Sequence, residues 1–102
     1  MHIYNDIRMK FLGEAFEFSR HAVDQSILRR ISMKEIREAV KTGEIIEEYP
    51  DDENGGSCLV LGYSRAGNPF HIHCSYPTRP IINIITVYQP EPALLINNRI
   101  RR

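Results

Sequence analysis

His71 and His73 stand two residues apart in the run 70–76, where Phe70, Ile72, Cys74 and Tyr76 alternate with His71, His73 and Ser75. A period of two is that of a β-strand, so the imidazoles share one face and the apolar set takes the other. Histidine titrates near neutral pH, which suits such a pair to proton transfer or to metal binding. Cys58 joins that face if the preceding strand pairs with Tyr63 opposite Phe70, and Cys58, His71 and His73 are then three ligands of a kind that hold zinc. Cys-x-x-Cys pairs are absent and Val60 and Ile84 crowd His73, so acid–base chemistry is the stronger reading and zinc the alternative. Elsewhere His21 follows Arg20 at the start of a helix, Arg29 and Arg30 stand near that helix's end, and Tyr88 closes the strand after the histidines. Imidazole, guanidinium and phenol together supply a base, an acid and a cation for developing negative charge. Each also has a plain structural role open to it: His21 as a helix cap, His71 bonded at the edge of the core, Tyr88 packed with its hydroxyl tied off, Arg29 and Arg30 as solvated helix ends.

These residues need a sheet and a helix to position them. Residues 81–88 put Ile81, Ile82, Ile84, Ile85 and Val87 on both faces, the pattern of an interior strand, expected at the sheet's centre. Pairing Tyr76 with Ile81 sets Ile72 opposite Ile85 and Phe70 opposite Val87 on the core face, with His71 opposite Thr86 and Tyr88 diagonal to it on an open face. Pairing Tyr63 with Phe70 sets Leu59, Leu61 and Tyr63 on the core face, and Cys58 and Cys74 on opposite faces as free thiols. It also sets Gly62 opposite His71, where a missing side chain leaves room for a ligand.

Upstream, Ile3, Ile7 and Phe11 recur at helical spacing and predict a helical extension over 1–14 that ends near Gly13. A short edge strand follows at 15–18. Ser19 is placed to cap a helix running to Arg30, and Ser32 with Glu35 forms a capping box that starts the next helix. Ile36, Ala39 and Val40 are that helix's buried stripe and Gly43 its stop. Strands at 45–49 and 58–63 flank an acidic turn, and 93–102 is a basic tail anchored by Leu94, Leu95, Ile96 and Ile100. The order predicts an α+β domain, with N-terminal helices packed on one face of a four-stranded, mostly antiparallel sheet.

A chain of 102 residues with 42% hydrophobic and 25% charged content is sized and composed as one soluble globular domain, 1–102. No apolar run approaches the ~20 residues that span a bilayer, and the first residues lack the order of a secretion signal. The expected address is the cytoplasm, with no membrane partner. A formal net charge of zero gives no global attraction to nucleic acid. The distribution is uneven, because 44–53 carries Glu44, Glu47, Glu48, Asp51, Asp52 and Glu53 without a base. After Glu53 the one acid is Glu91, against Arg65, Arg79, Arg99, Arg101 and Arg102.

Phe18, Ser19, Arg20, His21 and Ala22, then Arg29, Ile31 and Ser32, then Gly43 and Tyr49, then His71 in an apolar strand, then Ile85 to Pro90, occur in an order that resembles the bacterial and archaeal domain-of-unknown-function family 4258. The resemblance covers roughly residues 16 to 102. It implies a fold like that of the RelE-type toxins, within the metal-independent ribonucleases that include barnase and colicin tails, and a toxin–antitoxin context. Gln25 stands where many members carry arginine, and the tail has no tryptophan where members often carry one.

On that resemblance the chain is expected to be an endoribonuclease that needs no metal or cofactor. His21 and His71 are the acid and the base in either order, Arg29 the phosphate clamp and Tyr88 an orienting hydroxyl. Arg20, Arg30, Arg79, Arg99 and Arg101 are the expected RNA contacts. The expected partners are RNA, free or on the ribosome, and a cognate antitoxin, with the chain a monomer or a homodimer. The alternative is a catalytically silent interaction module of the same fold, binding a protein through the acidic hairpin or a sheet edge.

Overall fold

A computed structural model describes residues 3–53, 55–78 and 80–91, together with the backbone alone of 95–96 and 100–101. In chain order the elements are α1 (Ile3–Leu12), β1 (Phe16–Phe18), α2 (Arg20–Leu28), α3 (Met33–Lys41), β2 (Glu44–Tyr49), β3 (Ser57–Tyr63), β4 (Pro69–Ser75) and β5 (Ile82–Tyr88). Two short strands follow, β6 (Leu95–Ile96) and β7 (Ile100–Arg101). The fold is α+β, and the main sheet has the order β1-β5-β4-β3-β2. It therefore has five strands, not the expected four. The short aromatic run at 16–18 joins it parallel to β5, while every other pairing in the sheet is antiparallel. β4 holds the centre, and β5 lies between it and β1. Among the described residues no helix is long and apolar enough to cross a membrane.

The helices begin where side chains satisfy their free amides. Ser19 Oγ accepts from the Ala22 amide at 3.0 Å and donates to the Ile85 carbonyl at 2.9 Å, so one hydroxyl both starts α2 and ties it to β5. In α3 the Glu35 amide donates to Ser32 Oγ at 3.1 Å, and the Ser32 amide donates to Glu35 at 3.0 Å, which completes the capping box. α2 ends two residues earlier than expected. Arg30 takes a left-handed φ of 54°, its amide donates to the Ile27 carbonyl, and the Ile31 amide reaches back to the Ser26 carbonyl at 2.9 Å. That is a Schellman ending with arginine in the position glycine usually fills.

The core lies between the helices and one face of the sheet, with Ile7 and Phe11 of α1, Ile36, Ala39 and Val40 of α3, and Cys58, Val60, Phe70, Ile72, Cys74, Ile82, Ile84 and Val87 of the strands. Both expected registers are corrected. β3 pairs with β4 so that Gly62 meets Phe70 and Tyr63 meets Pro69, one residue away from the Tyr63–Phe70 pairing. The turn between them spans 64–68, where the Ser64 amide bonds the Asn68 carbonyl, the Asn68 amide bonds Ser64 Oγ, and Gly67 takes a φ of 88°. A one-residue slip turns every side chain over. Cys58, Val60 and Gly62 thus face the core, and Leu59 and Leu61 join His71. Along β5 the extra residue Ile85 bulges between Thr86, opposite His73, and Ile84, opposite Cys74. It sends Ile82 and Ile84, rather than Ile81 and Ile85, into the core.

Three further corrections follow. The thiols are free as expected, but Cys58 lies directly across from Cys74 on the same buried face. Gly62 makes no room beside His71; a methyl group there would sit 2.0 Å from the Ala39 carbonyl oxygen, so its bare backbone is what lets α3 lie on the sheet. The histidine face is also not open. With Leu59 and Leu61 brought onto it, His71 is only 2% exposed and Ser57 and Ser75 are fully buried.

Candidate functional site

Two polar clusters lie on the face of the sheet turned away from the core. The first joins three of the four residues expected to do chemistry. His71 and Tyr88 are direct partners across β4 and β5, with Nδ1 of the imidazole 3.1 Å from the phenolic oxygen and the rings edge to face at 5.2 Å. Arg29, the residue that closes α2, lays its guanidinium 5.8 Å from the centre of the Tyr88 ring and donates through Nη1 to the Val87 carbonyl at 3.0 Å. The carbonyl fixes the guanidinium beside the phenol, and the phenol touches the buried imidazole. A cation, a hydroxyl and an imidazole are thus contiguous from surface to interior.

His21 is not in this cluster. It is exposed in the first turn of α2, eight residues from Arg29, which places it about 12 Å away along the helix axis at 1.5 Å per residue. Among the described residues no hydrogen bond or ring contact joins it to Tyr88 or His71. Arg20 and Arg30 are exposed near the two ends of α2, and among the described residues neither they nor Arg29 and Lys34 hold an ion pair. Arg79 and Arg99 lie outside the described residues, and of Arg101 only the backbone in β7 is described.

The zinc alternative is corrected by the register. Cys58 is on the core face and His71 and His73 are on the other, so the three cannot share an ion. Among the described residues no group of three or more potential ligands gathers around a metal position.

The second cluster was not read from the sequence as one. Ser57 Oγ donates to Asp52 Oδ2 and lies 2.8 Å from Nε2 of His73, while Asp52 Oδ1 accepts the Gly56 amide at 3.0 Å. The His73 ring meets Tyr49 edge to face at 5.4 Å, and the Tyr49 hydroxyl donates to Glu47. Burial holds the His73 imidazole below the ordinary histidine pKa, and the Asp52 carboxylate opposes that shift. The signal that could have found this cluster is the five-residue step from Asp52 across the tight Gly55–Gly56 turn to Ser57. It becomes visible only in the observed register, which sets Ser57 diagonal to His73. On the core face, the neighbouring Cys58 thiol and then burial push the Cys74 thiol well above its usual range, so it is a packed small hydrophobe and not a nucleophile.

The family model described as Domain of unknown function (DUF4258) matches residues 18–89, a span that contains both clusters. No curated protein and no solved structure matches the chain.

Proposed function

The chain belongs to the domain-of-unknown-function family 4258, and from the contact of Arg29, Tyr88 and His71 we propose that it is a metal-independent endoribonuclease of the RelE-like toxin type. The reaction is transesterification within the RNA strand: the 2′-oxygen bonds to the adjacent phosphorus, the P–O5′ bond breaks, and a 2′,3′-cyclic phosphate and a 5′-hydroxyl result. It needs one group to take the 2′-hydroxyl proton, one to give a proton to O5′, and positive charge for the crowded phosphorus. Arg29 supplies the charge. Tyr88 is the phenol that gives its proton to O5′ and takes one back from solvent, and the buried His71 ring beneath it, with Nδ1 3.1 Å from the phenolic oxygen, holds the hydroxyl in place.

The observation that carries the reading is that single line of contacts. The exposed basic side chains of Arg20, Arg29, Arg30 and Lys34, which hold no ion pair among the described residues, support it, because local basic charge attracts phosphate even where net charge is zero. A cognate antitoxin would act by covering these basic side chains.

The test is cleavage of a mixed-sequence RNA by the purified protein in EDTA, with and without ribosomes, read by the formation of cyclic phosphate ends. Tyr88→Phe and Arg29→Ala are each expected to lose about 100-fold or more in rate, the scale of one proton carrier or one charge-stabilising group. No cleavage by the wild type under either condition sinks the proposal. A protein-interaction module is the second reading, favoured by the exposure of Ile27 (70%) and Leu28 (75%) on α2. A wild type that cuts nothing but retains a bound partner through Ile27→Asp-sensitive contacts is the result expected of it.

A further inference from the structure

The proposed reaction needs a second proton carrier, and His21, the residue expected for it, lies at the far end of α2 from Arg29. A different histidine has the geometry of a base. Ser57 has one hydroxyl proton, and the ionised Asp52 carboxylate can only accept it. With that proton directed to Asp52 Oδ2, the contact between Ser57 Oγ and His73 Nε2 at 2.8 Å requires Nε2 to carry the hydrogen and donate. The neutral imidazole is thereby held as the Nε2–H tautomer, and its lone pair is on Nδ1. Among the described residues Nδ1 makes no hydrogen bond.

We infer that His73 is the acid–base histidine of the site, its free Nδ1 accepting the 2′-hydroxyl proton while the buried Ser57 and its partner Asp52 hold the ring. Ser57 and Asp52 are positioning residues, which orient the imidazole and stabilise the imidazolium that forms, the part a carboxylate plays behind a histidine in hydrolases. The inference rests on the ribonuclease reading above. It adds to that reading a base two residues from His71 on the same face of β4, about 7 Å away at 3.3–3.4 Å per residue. His73 is half-buried, in contrast to His71.

The surroundings suit a base that is neutral before it acts. Asp52 is the charge acting directly on the ring. Tyr49 lies against it from β2 with its hydroxyl given to Glu47, Leu59 and Thr86 are its neighbours across β3 and β5, and His71 follows along β4. Burial keeps the imidazole unprotonated at neutral pH. Once it has accepted a proton, the cation finds Ser57 and Asp52 already aligned.

The experiment pairs a measurement that needs no RNA with one that does. Nitrogen-15 NMR of the imidazoles in the wild-type protein is expected to show His73 protonated at Nε2 and bare at Nδ1 near neutral pH, and Ser57→Ala is expected to abolish that preference. A wild-type His73 protonated at Nδ1 overturns the inference. In the RNA assay His73→Gln is expected to lose about 100-fold or more in rate with its circular dichroism unchanged. Asp52→Asn removes the charge that raises the His73 pKa, so the acid limb of the remaining activity is expected at lower pH. Full activity in His73→Gln overturns the inference and leaves the ribonuclease reading standing. Absence of cleavage by the wild type removes both.

Discussion

Gly62→Ala is the substitution that most directly tests how this sheet is put together. In the observed register Gly62 is on the core face opposite Phe70, and a methyl group there would lie 2.0 Å from the Ala39 carbonyl oxygen, 2.6 Å from its carbon and 3.0 Å from its Cα. All three are backbone atoms in the last turns of α3, so no rotamer change relieves the clash. The helix must move by more than 1 Å, given that ordinary contact begins near 3.4 Å. That movement would drag Ile36 and Val40 with it, which are 1% and 3% exposed. Overpacking of this kind costs about 1–3 kcal/mol, and the rigid partner puts this site at the upper end, about 3 kcal/mol. With a urea m-value of about 1–3 kcal/mol per molar, the unfolding midpoint is expected to fall by about 1–3 M. Gly67→Ala is the control in the adjoining turn. Nothing lies within 4 Å of its added methyl group, and its cost comes from a φ of 88° alone, about 1–2 kcal/mol. A Gly62→Ala protein within about 0.5 kcal/mol of wild type, the range of an ordinary surface substitution, would refute the register and return Gly62 to the histidine face.

Three other outcomes are expected. Arg30→Gly should raise stability by about 1 kcal/mol, because glycine takes the left-handed C-terminal position of α2 without the steric cost arginine bears there; a thermal melt checks it, and an unchanged or lower midpoint counts against it. His73 has a folded-state pKa depressed by burial, so between that value and its unfolded value of about 6.5 the unfolded chain binds more protons. Stability is therefore fully present above about 6.5 and is lost as pH falls through the folded-state value; the urea midpoint followed from pH 7 to pH 5 should show this in the wild type and less of it in His73→Gln. Cys58 and Cys74 should react with a thiol reagent such as Ellman's reagent only as fast as the domain opens, because both are buried in the core; rapid reaction in the folded protein would show that the β3–β4 core face is open.

The features legible in the chain are those whose causes are local. Ser19 and the Ser32–Glu35 pair start helices because a hydroxyl and a carboxylate meet free amides within three residues. The spacing of Ile3, Ile7 and Phe11 marks the buried side of α1 because 3.6 residues make a turn. The alternation along 70–76 separates the histidines from the core residues, and that separation holds in the fold. The meeting of Arg29, Tyr88 and His71 was not legible in this way, because it joins α2 to the end of β5 and sets Tyr88 directly opposite His71 only in the observed register.

The register could not be read in this way. Cys58, Val60, Leu59 and Leu61 are all apolar, so neither face of β3 is marked as the inner one, and a turn of five residues or of six between β3 and β4 satisfies the chain equally well. Ile84 and Ile85 are likewise equal claimants for the core. The choice was made by packing at long range: Ala39 on α3 needs a strand residue without a side chain, and Gly62 meets it only in the observed register. From that one contact follow the shared face of the two cysteines, the burial of His71, and the alignment of Asp52 and Ser57 with His73. Capping and periodicity act over a few residues of one segment, whereas register is decided by the steric fit of segments more than twenty residues apart, and that fit exists only once the domain has closed.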